Sequence, residues 1–221
     1  CLVGSVSLGL GRGPHEIDGS LQGGPWVGDA EPMDEVLFLL PNFDSYLGSS
    51  IRTSDDGMTK GRLRLEADGW LVEVDKQPEA RELKKKLRSG GGYGALHVGR
   101  LRKSNHVTFS RDEAEDMLGL LHYLFSFARG FRCGPALSIG RRNGQTVCEQ
   151  WTQPNISPWT GLRSWFPTVE LEDLDDIFHG FLHRWNDHER RRPLRVAIHW
   201  YCASNENEGA LEGALVLAQT A

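Results

Sequence analysis

Hydrophobic positions follow a helical spacing from Met117 to Ala128, and this segment is the clearest structural signal in the sequence. Apolar residues fill two neighbouring faces of the segment instead of one narrow stripe: Met117, Leu118, Leu120, Leu121, Leu124, Phe125, Phe127 and Ala128. A helix that is apolar over most of its circumference is usually buried within a protein. The spacing therefore predicts a buried helix over residues 111–129.

Polar residues mark both ends of this helix. Ser110 and Glu113 have the spacing of a capping box, in which each side chain accepts a hydrogen bond from the backbone N–H of the other residue. Gly130 follows the last apolar turn and can adopt the left-handed conformation that commonly ends a helix. The sequence thus predicts where the helix begins and where it ends.

Strand signals lie on both sides of the helix. Asn143-Gly144 favours a two-residue hairpin turn because both residues tolerate a positive φ, and it joins predicted strands at 135–139 and 146–151. Residues 36–40 form a continuous apolar run that is typical of a buried strand. Two further hairpins are predicted from alternating hydrophobicity: residues 63–74 around a turn at 67–69, and residues 95–101 with 106–109 around a turn at 103–105.

Helical spacing returns after residue 171. Leu174, Phe178 and Trp185 belong to a predicted helix of about four turns. Pro193 fits the first turn of the next helix, where its missing N–H costs nothing. A last apolar stripe with helical spacing lies at residues 210–221.

These elements predict an α+β protein. Its N-terminal half is expected to be β-rich, sandwich-like and mostly antiparallel with one buried helix, and an α-helical part follows. We expect a β-rich domain over residues 1–165 and a helical region over residues 166–221. Because the chain starts with Cys1 and its last stripe reaches Ala221 without a cap, we expect a fragment of a longer protein. The expected partner is then the remainder of the same polypeptide after Ala221.

Net charge, hydropathy and cysteine content indicate the kinds of partner and the compartment that we expect for this protein. The formal net charge of −5 gives no general electrostatic attraction to nucleic acid. The longest apolar run, Val36–Leu40, is far shorter than the about 20 residues of a membrane helix, so we expect a cytoplasmic protein without a membrane partner. Cys133 and Cys148 leave open a disulfide across the hairpin, although the lack of a secretion signal favours reduced thiols. The sequence predicts no cofactor.

Four segments together resemble a family of large bacterial proteins of undefined function, some of which are similar to ApeA-type anti-phage defence proteins. The segments are LFSFARGFRCGPALSIG at 124–140, SWF at 164–166, IHWYCASN at 198–205 and ALVLAQTA at 214–221, and the resemblance covers about residues 96–221. In ApeA-type proteins a β-rich region precedes a helical domain of the HEPN class. The resemblance therefore implies a missing helical domain after this chain, through which a homodimer would form.

HEPN ribonucleases need an arginine, a polar residue, and a histidine one or two helical turns later. Arg192 and His199 are the candidate catalytic pair that this pattern selects, and Arg195 with His199 is a second spacing. Pro193 stands where the polar residue is required, so the chain departs from the family pattern.

A metal site is a further hypothesis. His179 and His183 are four residues apart on a predicted helix, and Asp176 and Glu172 lie on the same side. Such a group of imidazoles and carboxylates can bind zinc. An ordinary solvated helix face has the same pattern, and we favour that interpretation.

Ligand-binding candidates lie in two places. Arg129 and Arg132 belong to a basic cluster around the predicted hairpin, and a guanidinium group binds phosphate through its planar fork. Trp200, Tyr201 and Asn205 form a group of polar and aromatic residues near the last segment. The alternatives are a helix-capping role for Arg129, a solvated turn for Arg132, and an amphipathic helix followed by an N-cap for the second group.

No acid–base pair or activated nucleophile is evident in the sequence. The leading hypothesis is a non-catalytic recognition or scaffold region of a larger bacterial protein, which the resemblance connects with anti-phage defence. A fragment of a HEPN-type RNA-cleaving protein and a metal-binding protein are the alternatives. A protein or an RNA partner is compatible with the leading hypothesis.

Overall fold

The computed structural model describes residues 26–29, 32–44, 46, 48–52, 58–151, 155–161 and 172–206. The strands within these ranges are β1 (Trp26–Gly28), β2 (Glu35–Pro41), β3 (Ser49–Arg52), β4 (Met58–Ala67), β5 (Trp70–Lys76), β6 (Ala95–Lys103), β7 (Ala136–Arg142) and β8 (Gln145–Gln150). The helices are α1 (Ala80–Gly90), α2 (Arg111–Arg129), α3 (Glu172–Asn186) and α4 (His188–Glu206). No helix in the described ranges has both the length and the hydropathy needed to cross a bilayer.

The described strands form a single antiparallel sheet in the order β1-β8-β7-β2-β6-β5-β4-β3. This arrangement confirms the predicted α+β class, with an antiparallel N-terminal sheet followed by helices. The described strands form one sheet instead of the two sheets of a sandwich, and α2 supplies the second apolar surface of the core. Val36, Phe38 and Leu40 of β2 lie with Leu121 and Phe125 of α2 in one hydrophobic core.

Helix α2 has the predicted bounds and the predicted caps. The Glu113 N–H donates to Ser110 Oγ over 3.2 Å, and the Ser110 N–H donates to Glu113 Oε2 over 2.9 Å. Gly130 ends the helix in the left-handed region, with a φ of 78°. Leu120, Leu121, Leu124 and Phe125 have no exposed surface, which confirms the prediction of a buried helix.

Two hairpins are also confirmed, and a third is wrong. Asn143-Gly144 joins β7 to β8, and Asp68-Gly69 joins β4 to β5. The predicted pairing of residues 106–109 with β6 does not occur, because β6 already pairs with β2 on one side and β5 on the other. Phe109 instead forms an isolated bridge with Met33.

The start of α4 also differs from the prediction. Pro193 lies inside the helix and not in its first turn. The helix begins earlier because Asp187 Oδ1 accepts hydrogen bonds from the N–H groups of Glu189 and Arg190, at 3.0 and 3.3 Å. The predicted helix at 210–221 lies outside the described residues.

Helices α3 and α4 pack on the same core as α2. Phe178 of α3 and Cys202 of α4 are almost completely buried in it. Asp116 of α2 accepts two hydrogen bonds from the Arg191 guanidinium, at 2.9 and 3.2 Å, and one from Trp185 Nε1 at 3.2 Å. The division of the chain into two domains near residue 165 stays a prediction.

The end of α4 holds the end of α2. Asn205 Nδ2 donates to the Gly130 carbonyl oxygen over 2.7 Å. A Cβ at position 130 would lie 3.0 Å from Asn205 Nδ2 and 3.2 Å from the Tyr201 hydroxyl oxygen. Gly130 therefore meets two requirements, a positive φ and a close approach of α4.

We predict that Gly130→Ala lowers the free energy of unfolding more than Gly69→Ala, measured by urea denaturation. Gly69 has a similar φ of 75° but open space around it, so its substitution measures the backbone strain alone. That strain costs roughly 1–2 kcal/mol. The contact with Asn205 and Tyr201 should add about 1 kcal/mol at position 130. Equal losses for the two variants would contradict the role assigned to this contact.

A second buried feature is His97 on β6. Its side chain is fully buried, stacks on the Tyr46 ring at 5.0 Å, and contacts the Phe43 ring edge-on at 5.9 Å. Neither ring nitrogen has a hydrogen-bond partner among the described residues. Burial lowers the pKa of His97 from 6.5 to about 3, with smaller effects from the charges of Lys76, Asp44 and Lys84.

We predict that His97→Phe reduces the loss of stability at acid pH. The unfolded chain binds a proton at His97 below pH 6.5 and the folded protein does not, so stability falls as the pH decreases from 6.5 to about 3. The wild-type protein should lose about 1 kcal/mol per pH unit more than the variant in this window. Urea denaturation at pH 7.5, 6.0 and 5.0 measures the difference, and His179→Gln on the surface is the control. Parallel pH profiles for the wild type and His97→Phe would refute the prediction.

Candidate functional site

A wide cleft opens beyond the C-terminal end of α2, next to the end of α4. It has a volume of about 680 Å³, and we call it the Arg132 cleft. Its lining residues come from four separate segments of the chain: Tyr93, Phe131, Arg132, Asn155, Ile156, Ser157, Pro158, Trp159, Thr160, Asn205 and Glu206.

A smaller space of about 150 Å³, the inner cavity, adjoins the Arg132 cleft. Its lining residues are His122, Tyr123, Ser126, Arg132, Asn155, Ile198, His199 and Cys202. Arg132 and Asn155 line both spaces, so they form the boundary between them. Helices α2 and α4 supply most of the inner wall.

Backbone hydrogen bonds fix the loops around the Arg132 cleft. Ser126 Oγ donates to the Cys133 carbonyl over 2.8 Å and accepts from the Cys133 N–H over 2.9 Å. The Ser157 N–H donates to the Arg132 carbonyl over 2.8 Å, and the Arg132 N–H donates to Ser157 Oγ over 3.1 Å. Ser157 Oγ in turn donates to Glu206 Oε1. These bonds hold the backbone of Arg132 in place.

Arg129 lies behind the wall of the Arg132 cleft and stabilises it. Its side chain is buried, and it donates to the Asn42 carbonyl over 3.3 Å and to the Thr160 carbonyl over 2.9 Å. The guanidinium carbon lies 5.2 Å from the centre of the Phe131 ring and 5.4 Å from that of Trp159. Burial lowers the pKa of Arg129. Arg129 lines neither space, so the structure places it under the site.

The Arg132 side chain has a different environment. Its Nη2 atom lies 3.5 Å from Nδ1 of His199, and the described residues offer it no carboxylate within ion-pair distance. The guanidinium is therefore available to a ligand. Asn205 also lines the Arg132 cleft, but its amide is engaged with Gly130.

Two titratable groups of the inner cavity have shifted pKa values. Burial raises the pKa of the Cys202 thiol to about 12, with a smaller contribution from Glu206, so the thiol is protonated at neutral pH. Burial, followed by the charges of Arg132 and Arg195, lowers the pKa of His122 to about 4, so this imidazole is neutral. The Ser126 hydroxyl already makes two hydrogen bonds.

The remaining sequence candidates lie at the margin or elsewhere. Trp200 lines neither space, although its ring contacts that of His199 at 5.1 Å. Tyr201 lines a separate apolar groove of about 460 Å³ together with Phe127 and Phe181. Arg192 is exposed and lines none of these three spaces, whereas His199 lines the inner cavity, so the catalytic role of this pair stays a prediction.

The metal candidates lie on α3, and the structure describes the side chains of three of the four. His179, His183 and Asp176 are exposed on α3, and the side chain of Glu172 lies outside the described part of the structure. Within the described ranges, no three His, Cys, Asp or Glu residues are close enough to hold a metal ion together. The described cysteines Cys133, Cys148 and Cys202 are free thiols.

Several lining residues have no signal in the sequence. Tyr93 follows a glycine run, and Asn155, Ser157 and Trp159 lie in a proline-containing loop. Their shared position depends on long-range hydrogen bonds, such as that from the Trp159 N–H to the Gly92 carbonyl at 2.7 Å. Such contacts leave no periodic pattern, so sequence reasoning missed these residues.

Comparison with known proteins identifies the family. The family described as YopA central domain matches residues 28–162, which include most of the Arg132 cleft. The SPbeta prophage-derived uncharacterized protein YopA of Bacillus subtilis (strain 168) is 24% identical over 209 residues, covering 94% of this chain and 47% of that protein. The chain spans about half the length of this curated relative, and no solved structure matches it. This relative confirms the expected kinship with an uncharacterised bacterial protein, and the chain belongs to the YopA central-domain family.

Proposed function

We propose that this chain is a non-catalytic recognition region of a longer bacterial or prophage protein, and that its ligand binds in the Arg132 cleft. The supporting observation is the Arg132 side chain itself, which lies at the junction of two cavities without a carboxylate partner among the described residues. A guanidinium group in such a place favours an anionic ligand.

Aromatic side chains favour a ligand with a planar apolar part. Tyr93 is 64% exposed at the mouth of the Arg132 cleft, whereas Phe131 and Trp159 are buried in its wall. Aromatic rings bind planar groups by stacking or by edge-to-face contact. A small aromatic anion, or a partner segment that presents one, therefore fits both features of the cleft.

Rigidity of the site also supports recognition. The loop after α2 and the loop of residues 155–161 are joined through paired hydrogen bonds between Arg132 and Ser157. A preformed site loses less conformational entropy when it binds a ligand. A role in anti-phage defence belongs to this proposal as its biological context and follows only from the resemblance to ApeA-type proteins.

A second candidate function is that of a fragment of an RNA-cleaving protein of HEPN type. The observation that favours it is the position of His199 at the inner cavity, 3.5 Å from the Arg132 guanidinium. Arg195 lies one turn earlier on the same helix. This candidate requires turnover, whereas the recognition proposal does not.

We predict that the purified chain binds small aromatic anions at Trp159. Benzoate, phenylacetate, benzenesulfonate and phenyl phosphate, titrated at millimolar concentration, should shift the Trp159 indole N–H resonance in NMR spectra. The Trp185 indole donates to Asp116, away from the Arg132 cleft, and should stay unchanged. Tyr93→Ala should weaken binding about 3- to 10-fold because it removes one aromatic contact. If none of the four anions shifts Trp159, the recognition proposal is wrong.

We also predict that the chain does not hydrolyse single-stranded RNA, ATP or p-nitrophenyl phosphate above the buffer rate. The thiols are protonated and no activated nucleophile lines the described cavities. Turnover that His199→Ala abolishes, without a lower melting temperature, would refute the non-catalytic assignment and favour the HEPN-type candidate.

A further inference from the structure

The geometry points to a phosphoryl-binding site in the inner cavity, so that the ligand of the Arg132 cleft is a phosphate monoester whose aromatic group lies in the cleft. This inference rests on the proposed recognition function and specifies its ligand. It depends on the charges and the dimensions of the inner cavity.

Two guanidinium groups lie at the wall of the inner cavity. Arg132 lines it directly. Arg195 lies over the Tyr123 ring at 5.3 Å, and its Nε donates to the Tyr123 hydroxyl oxygen over 3.1 Å. Arg195 does not line the inner cavity itself, but Tyr123, to which it is bonded, does.

Neither Arg132 nor Arg195 has a carboxylate within ion-pair distance in the described part of the chain. Glu206 lines the Arg132 cleft, where its carboxylate accepts a hydrogen bond from Ser157 Oγ, and its charge contributes to the raised pKa of Cys202. Asp116 of α2 is engaged with Arg191 and Trp185. An anion would supply a direct partner for the two guanidinium groups.

His122 forms part of the cavity wall but offers the ligand no hydrogen bond from Nδ1. This atom is buried without a partner among the described residues, and a Cβ at position 134 would lie 2.5 Å from it. Nδ1 therefore faces Gly134. The anion would be held by the guanidinium groups at the cavity and not by this imidazole nitrogen.

A phosphoryl group matches this set of donors better than a carboxylate does. It has three terminal oxygens and carries nearly two negative charges at neutral pH. One face can accept the planar fork of Arg132, while the charge of Arg195, bonded to Tyr123 of the cavity wall, attracts the remaining oxygens. Since the inner cavity is small, about 150 Å³, the rest of the ligand must extend past Arg132 into the Arg132 cleft.

Isothermal titration of the whole chain at low salt and pH 7.5 tests this inference. Phenyl phosphate is the main probe, phenylacetate is its carboxylate match, and inorganic phosphate and adenosine 5′-monophosphate are further probes. We expect phenyl phosphate to bind at least 10-fold more tightly than phenylacetate. Tighter binding of adenosine monophosphate than of phenyl phosphate would identify a nucleotide-type ring, and the reverse order would identify a phenyl-type ring.

Two substitutions should reduce phosphate binding selectively. Arg132→Ala should weaken phenyl phosphate binding about 10- to 100-fold, because it removes a charge-assisted pair, and Arg132→Lys should restore part of the affinity. Arg195→Ala should weaken it by a smaller factor, on the order of 3-fold, through the loss of a nearby charge. Arg64→Ala removes the same charge from an exposed position on β4 and should have no effect.

The outcomes separate this inference from the recognition proposal. Equal affinity for phenyl phosphate and phenylacetate, with no effect of Arg195→Ala, would overturn the phosphoryl site and leave the recognition function standing. Binding of inorganic phosphate as tightly as phenyl phosphate would overturn the role of the Arg132 cleft in holding the ring. If none of the probes binds, the recognition proposal fails as well.

Discussion

Burial of α2 is the constraint on which the rest of this structure depends. Leu120, Leu121, Leu124 and Phe125 are fully buried, and each contributes roughly 1.5–3 kcal/mol relative to an exposed position. A helix with two apolar faces needs cover on both, and α2 shares its core with strands of the sheet and with α3 and α4. Helix α3 also contacts the sheet, since the Glu66 N–H of β4 donates to Asp175 Oδ1 over 2.8 Å. The capping box and Gly130 determine where this helix starts and stops. The candidate site begins one residue beyond that stop.

The C-terminal end of α2 determines the geometry of the candidate site. At Gly130 the chain turns in a left-handed conformation, and Asn205 binds the freed carbonyl, so α4 and the loop after α2 have fixed positions. Arg129 faces inward and bonds to backbone carbonyls, whereas Arg132, three residues later, faces the cavities. Two arginines with the same chemistry thus have opposite roles, because the helix stop lies between them.

Local patterns predicted most of the fold and little of the site. The bounds of α2 and the hairpin at Asn143-Gly144 follow from short-range spacing, and both agree with the structure. The predicted strand at 106–109 was wrong because pairing depends on which strands already occupy both edges of β6. Arg132 was a sequence candidate because it belongs to a basic cluster around the predicted hairpin. Tyr93, Asn155 and Trp159 join it only through long-range contacts, which no periodicity encodes.

Two buried imidazoles have a cost for folding. His122 and His97 each have a ring nitrogen without a hydrogen-bond partner among the described residues, and such an atom destabilises the protein relative to an apolar filling of the same space. His97 is enclosed by aromatic rings, and no arginine guanidinium is among the groups that shift its pKa. His122 lies in the wall of a cavity that shares Arg132 and Asn155 with the Arg132 cleft, but its buried Nδ1 faces Gly134. The proposed binding site therefore depends on the guanidinium of Arg132 at this boundary and not on the buried imidazole.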